Sequence, residues 1–249
     1  MFQTFFYQPI LNLLVFIYNI VPGHDLGIVI IILTIIIKLI LWPLSRQSIK
    51  SQKSLQDLQP KVEEVKKKYA DNKEEMGRAM MNLYKEHKVN PFSSCLPLLI
   101  QLPFLFAVFQ VFRTGLDNGS LNLVYSFIPR PEVINSVSLG FLDLAKPHIA
   151  LAVLAGLAQF WQARMMIVKK PAVASIGSKD ENMAAIMNKQ MLYFMPVLTV
   201  FIGISLPGGL TLYWFVTTLL TALQQLFIFK ENDKKDNGEK NIIEGEIVK

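Results

Sequence analysis

Acidic residues are missing from every long apolar stretch of this chain, although it carries 19 Asp and Glu in all. Between Val89 and Phe112, and again between Gln190 and Phe229, there is no charged residue of either sign. A proton relay or a cation pathway through a membrane needs carboxylates among its apolar segments, so neither is expected here. Charge is scarce overall, at 18% of residues against about a quarter in soluble domains. The single cysteine, Cys95, excludes an intrachain disulfide. His24, His87 and His148 are scattered, so no Cys/His cluster offers a metal site. H-E-x-x-H and G-x-S-x-G are both absent, as are any phosphate-binding loop and nucleophile–base pair. An enzyme is not expected, and no cofactor is.

What is present is apolar. Hydrophobic residues make up 52% of the chain, and a bilayer-spanning helix needs about 20 of them in a row. Five spans are expected, at 26–45, 93–113, 147–166, 189–206 and 209–229. The last two are divided by a tight turn at Pro207-Gly208-Gly209. Segment 46–90 holds eleven Lys and Arg and segment 167–189 holds four, whereas 117–147 holds only Arg130 and Lys146. The positive-inside rule then places 46–90, 167–189 and the C-terminus in the cytoplasm and the N-terminus outside.

Three segments lie outside this core of 25–230. In residues 1–24, Gln8, Asn12 and Asn19 fall near one helical face, which predicts an amphipathic helix in the membrane interface. A sixth span is the alternative. No basic leader or A-x-A site suggests a cleaved signal peptide. In 46–90, Leu55, Leu58, Val62, Val65 and Tyr69, then Met76, Met80, Leu83 and His87, recur at spacings of 3 and 4. That is coiled-coil spacing on two arms and predicts a helical hairpin, kinked or restarted at Pro60. The hairpin has no apolar face beyond its own seam and is expected to move relative to the core. Residues 231–249 mix both charge signs and read as a disordered tail.

Polar residues within the spans are the candidates for function. Lys38 stands in T-I-I-I-K-L-I-L-W-P (34–43). An isolated cation there costs about 2.5–3.5 kcal/mol on insertion scales. Seven residues separate it from Ser45, about 10 Å along a helix, which is twice the reach of a lysine stem. Gln101, Gln159, Gln162, Gln224 and Gln225 also lie within spans, where each amide needs a partner or water. Trp42 suits an interfacial anchor, and Tyr213 and Trp214 suit either a belt or a site. Without a carboxylate in any span, Lys38 calls for a water-filled cavity or a partner that arrives from elsewhere.

Three stretches closely resemble the YidC/Oxa family of membrane protein insertases. They are N-P-F-S-S-C-L-P-L-L-I-Q-L-P-F-L-F-A-V-F (90–109), the pair L-Q-P-K-V-E-E-V-K-K-K-Y (58–69) with M-M-N-L-Y-K-E-H-K-V-N-P (80–91), and M-P-V-L-T-V-F-I-G-I-S-L-P-G-G-L-T-L-Y-W (195–214). They match, in order, that family's second core span, its cytoplasmic hairpin and its last helical pair. The resemblance implies an all-α integral membrane protein: a five-transmembrane-helix core with a polar groove, a cytoplasmic helical hairpin and an N-terminal interfacial helix. The groove would be open to cytoplasm and lipid and closed toward the outside. Lys38 matches the family's groove arginine, Gln101 and Gln162 its groove glutamines, and Trp214 its groove tryptophan, with Tyr213 and Gln159 as neighbours. Lysine keeps the charge but loses the planar fork of arginine. Ser94 stands where the family has glycine, and the family's large extracytoplasmic domain, lipobox cysteine and long basic tail extension are not seen.

The implied role is insertion and folding assistance for membrane proteins of the bacterial plasma (inner) membrane. The expected partners are nascent chains with acidic translocated flanks and membrane lipids, together with a Sec translocon and the ribosome, and the protein is expected to work as a monomer. A folding chaperone without insertion activity, or a small-solute channel or transporter, would be the alternatives. A transporter predicts paired broken helices in internal repeats, and none is evident.

Overall fold

The computed structural model describes residues 1–90, 96–114, 120–166 and 190–247. The start of the 90–109 motif, with Ser94 and Cys95, and the basic segment 167–189 lie outside the described residues. Most of the described residues are helical. The helices are α1 (Gln8–Ile20), α2 (Leu26–Ile40), α3 (Trp42–Lys68), α4 (Lys73–Glu86), α5 (Leu96–Thr114), α6 (Ile149–Met166), α7 (Met195–Gly203) and α8 (Gly208–Ile247). Single π-helical turns, Gln3–Tyr7 and Gln190–Phe194, lead into α1 and α7. One short antiparallel ribbon, β1 (Val137–Ser138) with β2 (Leu142–Asp143), pairs Val137 with Asp143 and Ser138 with Leu142. By length and composition α6 and the Gly208–Glu231 part of α8 are long and apolar enough to cross a membrane, and α2 with α3 is a third candidate if taken as one bent span. The apolar stretches Leu99–Arg113 and Gln190–Gly203 are shorter.

The segment expected as one span, 26–45, is broken. α2 stops at Ile40 and α3 leaves it at 70°. Pro43 explains the break, because proline lacks an N–H and fits the first turn of a new helix rather than the middle of an old one. Lys38 therefore sits in the last turn of α2, close to where the chain turns away.

Two further expectations are corrected. Pro60 does not restart its arm: α3 runs through it as one helix. The tail is not a coil, since α8 continues to Ile247. Once a helix is nucleated, each further residue is added without a new nucleation step, and Glu- and Lys-rich sequence is well suited to that.

The core lies where α1, α2, α5 and α8 meet, around Leu11, Leu14, Val29, Leu33, Val111 and Tyr213, all nearly or fully buried. The polar face of α1 is turned toward the 121–129 segment. Gln8 and Asn12 donate to the Leu123 carbonyl at 3.2 Å, Asn12 accepts from Tyr125 N, and Asn19 donates to Pro129 O at 2.7 Å. On the other side of the molecule α6 packs closely on α7. A methyl group on Gly156 would come within 2.4 Å of Val200 Cγ2, and one on Gly203 within 3.0 Å of Ala152 Cβ. Small residues let backbones approach in this way where lipid, not water, is the competitor.

The ribbon is clamped to the helix starts. Asp25 caps α2, accepting from Ile28 N, and also accepts from Ser138 Oγ and Leu139 N, both at 2.6 Å. The Pro207–Gly209 turn donates Gly208 N to Lys146 O and Gly209 N to Leu144 O, both at 2.9 Å.

Candidate functional site

α8 carries Tyr213, Thr217 and Thr221 at successive intervals of four, so the three share one face of the helix. Thr221 Oγ1 donates its only proton to the Thr217 carbonyl at 2.7 Å. Its lone pair is thereby turned outward, and Lys38 Nζ donates to it at 2.7 Å. Among the described residues no carboxylate pairs with Lys38. One turn earlier on α2, Thr34 spends its hydroxyl on Ile30 O at 2.6 Å and leaves the ammonium alone.

Lys38 lines a cleft of about 260 Å³ together with Trp42 and Gln224 and the apolar residues Ile35, Leu39, Leu220, Leu223 and Phe227. Leu39 and Phe227 are well exposed, at 62% and 64%, so one wall opens outward where a membrane protein meets lipid. Gln224 is nearly buried, and its Nε2 has no hydrogen-bond partner among the described residues. An ammonium has three N–H donors and Thr221 takes one. Lys38 thus brings spare donors and no negative charge to an otherwise largely apolar cleft, which suits a carboxylate or a carbonyl.

The remaining candidates separate into other settings. Gln101 Nε2 donates to the Tyr213 hydroxyl, joining α5 to α8. Tyr213 lies eight residues before Thr221 on the same face, so Gln101 and Lys38 meet α8 about 12 Å apart. Gln159 accepts from Thr199 Oγ1 and ties α6 to α7. Gln162 and Trp214 are half-buried, and neither is among the residues lining the Lys38 cleft. Trp214 follows Tyr213 directly, which turns it about 100° away from the Tyr213–Thr221 face.

Gln224 is one of the glutamines expected within the spans, whereas Thr221 was not singled out by sequence reasoning. The signal for Thr221 was available as the four-residue spacing from Tyr213, read as one face. Among the described residues no cluster of His, Cys, Asp or Glu could hold a metal ion.

Next to the cleft, the bend that starts α3 is fixed to the end of the apolar part of α8. Arg46 donates to both carboxylate oxygens of Glu231, at 2.8 and 2.9 Å. Lys53 Nζ sits 5.6 Å from the Phe229 ring centroid, and Gln56 donates to Met165 O at 3.3 Å. Further out, Leu58 and Val62 are buried, whereas α4 buries none of its side chains. The hairpin is held at its base, which differs from the expectation of a seam with no docking of its own.

The sequence signature of the 60Kd inner membrane protein family matches residues 16–235. A membrane protein insertase YidC of Fusobacterium nucleatum is similar, at 35% identity over 231 residues, covering 92% of this chain and 99% of that protein. Membrane protein insertase YidC of Geotalea daltonii is 35% identical over 90% of this chain, and that of Oleidesulfovibrio alaskensis is 35% identical over 92%. This chain spans only 37% and 39% of the length of those two relatives.

Proposed function

Because the chain belongs to the 60Kd inner membrane protein family, we propose that it is a membrane protein insertase of the bacterial inner membrane, with the Lys38 cleft as the point where the polar part of a client enters. Membership of this family argues for a protein that moves and folds other membrane proteins, not for an enzyme. The Lys38–Thr221 contact carries this reading. A cation is kept at the membrane-embedded end of α2 by a neutral hydroxyl, so its charge is not cancelled and remains for a client.

The work required is small. A client's own apolar helix supplies the free energy of insertion, and the protein has only to lower the barrier for its polar flank. A unit charge pair near 4 Å is worth about 1 kcal/mol in water and about 4 kcal/mol at an effective dielectric of 20. That attracts an acidic flank and still lets it go. The exposed wall formed by Leu39 and Phe227 lets the apolar segment leave into lipid.

The full arrangement has five spans, built on α2, α5, α6, the segment 190–206 and α8, with the half-buried Gln162 and Trp214 extending the polar groove and the Gln101–Tyr213 and Gln159–Thr199 bonds tying together the helices around it. Residues 46–90 and the C-terminus face the cytoplasm and the N-terminus lies outside, in keeping with the distribution of Lys and Arg. Clients are nascent membrane proteins with acidic translocated flanks. The base-anchored hairpin is the element presented to the ribosome or a Sec translocon, and one copy suffices.

Depletion of the protein with proteome-wide measurement of the inner membrane tests this. Integral proteins with acidic translocated flanks should fall most. An unchanged membrane proteome would overturn the reading.

A further inference from the structure

The turn between β1 and β2 contains a residue that its geometry does not favour. Leu139 and Gly140 both have positive φ, +52° and +80°, and Phe141 N donates back to Ser138 O at 3.2 Å. Two successive left-handed residues make a turn that selects Asn or Gly at both central positions. A bulky apolar side chain at positive φ is an outlier that asks for a compensating role. It is not buried in compensation: Leu139 is 66% exposed and Phe141 is 77% exposed.

The position of this turn relative to the bilayer follows from its clamps. Leu139 N and Ser138 Oγ are held by Asp25, the cap of α2. At its other end the ribbon receives the first two N–H groups of α8 on Leu144 O and Lys146 O. Gly27 has no room for a side chain because Ser138 Oγ would lie 2.2 Å from a Cβ there. The ribbon is thus fixed to the starts of two membrane helices, where hydrocarbon gives way to headgroups. The headgroup zone on each side is about 5–7 Å thick, and the first and last residues of a β-turn lie within about 7 Å of each other. Phe141 cannot be far from that zone. The exposed apolar residues of the spans also begin at this level, with Ile28 on α2 and Ile149 on α6, so the tip continues a surface that already meets lipid. Lys146, 79% exposed at the ribbon's base, pairs with Asp143 at 3.2 Å and so adds no unpaired charge beside the tip.

We propose that the Leu139–Phe141 turn is a membrane anchor, seated in the headgroup–acyl boundary of the leaflet at which α2 begins. Burial of Leu139 and Phe141 in lipid accounts for a leucine where the turn favours asparagine, and fixes the height of the ribbon that caps α2 and α8.

The test uses the full chain with Cys95→Ser, carrying a nitroxide on Leu139→Cys or Phe141→Cys, in vesicles of phosphatidylethanolamine and phosphatidylglycerol. Both positions are exposed, so labelling does not threaten the fold. Collisions with oxygen relative to an aqueous nickel chelate should be several-fold more frequent than for a label at the exposed Glu75→Cys in α4. A ratio equal to that at position 75 would place the tip in water and overturn the proposal. Exclusion of both reagents would also overturn it, because a second copy or another protein would then cover the tip.

Discussion

Lys38 Nζ and Thr221 Oγ1 lie 2.7 Å apart, on helices 183 residues apart in sequence. The contact is an ammonium donating to a hydroxyl whose own proton is already committed to the Thr217 carbonyl. A hydrogen bond to a charged group is worth about 1.5–3 kcal/mol, and leaving the charge without one costs as much. Thr221→Val keeps the shape and removes the acceptor, so the ammonium should become mobile and the insertion rate should fall by about tenfold for each 1.4 kcal/mol lost. Thr221→Ser should retain the wild-type rate. Protease protection of a client flank in proteoliposomes measures both, and equal rates for Val and Ser would show that the contact has no role.

The Pro207–Gly209 turn makes a second prediction, on stability. A Cβ on Gly209 would meet three ring atoms of the buried Phe112 at 2.4–2.8 Å. The ring belongs to the buried core, which leaves it little room to retreat. Gly209→Ala should destabilise by about 1–3 kcal/mol, the usual range for overpacking. Thermal unfolding in detergent should show a lowered midpoint, partly restored by adding Phe112→Leu. Full stability of the single variant would mean that the turn relaxes freely.

Much of this was legible in the sequence, and the failures share a cause. The helix cores 26–40, 96–114 and 149–166 follow from apolar runs alone, and Pro-Gly-Gly marks the α7–α8 turn directly. The two helical arms α3 and α4 follow from their spacing of 3 and 4. The break at Leu41 was missed because the expected span 26–45 runs straight through Pro43, which instead sits in the first turn of the next helix. The continuation of α8 was missed because composition was weighed without the apolar helix that nucleates it. Partner choice was the least legible. Gln101 bonds Tyr213 and Gln159 bonds Thr199, pairings across 40 residues or more that leave no periodic trace. The β1–β2 ribbon is two residues per strand, too short for any alternation to register.

Asp25 gives the ribbon a pH dependence. Burial alone would raise its pKa, but hydrogen bonds from Leu139 N, Ser138 Oγ, Ile28 N and Gly27 N outweigh that and hold it below the usual carboxylate value of 3.8. A depressed folded-state pKa contributes stability that is present above the unfolded value and is lost as pH falls through the folded one. The ribbon should therefore stay docked at neutral pH and loosen only in acid, below 3.8. Amide exchange at Leu139 should rise there. In Asp25→Asn it should be raised at neutral pH, with no further acid step. An acid step that survives in Asp25→Asn would assign the titration to another group, such as Asp143.

The charge at position 38 makes the most discriminating prediction. If the ammonium acts by attracting acidic flanks, its effect must follow client charge and not client hydrophobicity. Lys38→Arg keeps the charge and, with its longer fork, can still reach Thr221, so it should remain active. Lys38→Ala should lose clients with acidic translocated flanks and impair neutral ones less, because the open wall of the cleft remains. Lys38→Glu should be worse than alanine for acidic flanks, since attraction becomes repulsion of similar size, about 4 kcal/mol at an effective dielectric of 20. Higher ionic strength should weaken the preference only modestly, as a half-buried pair is screened less than an exposed one. Matched clients differing only in flank charge, compared across these three variants, give the readout. Equal loss for acidic and neutral flanks in Lys38→Glu would mean that the lysine shapes the cleft and does not select by charge.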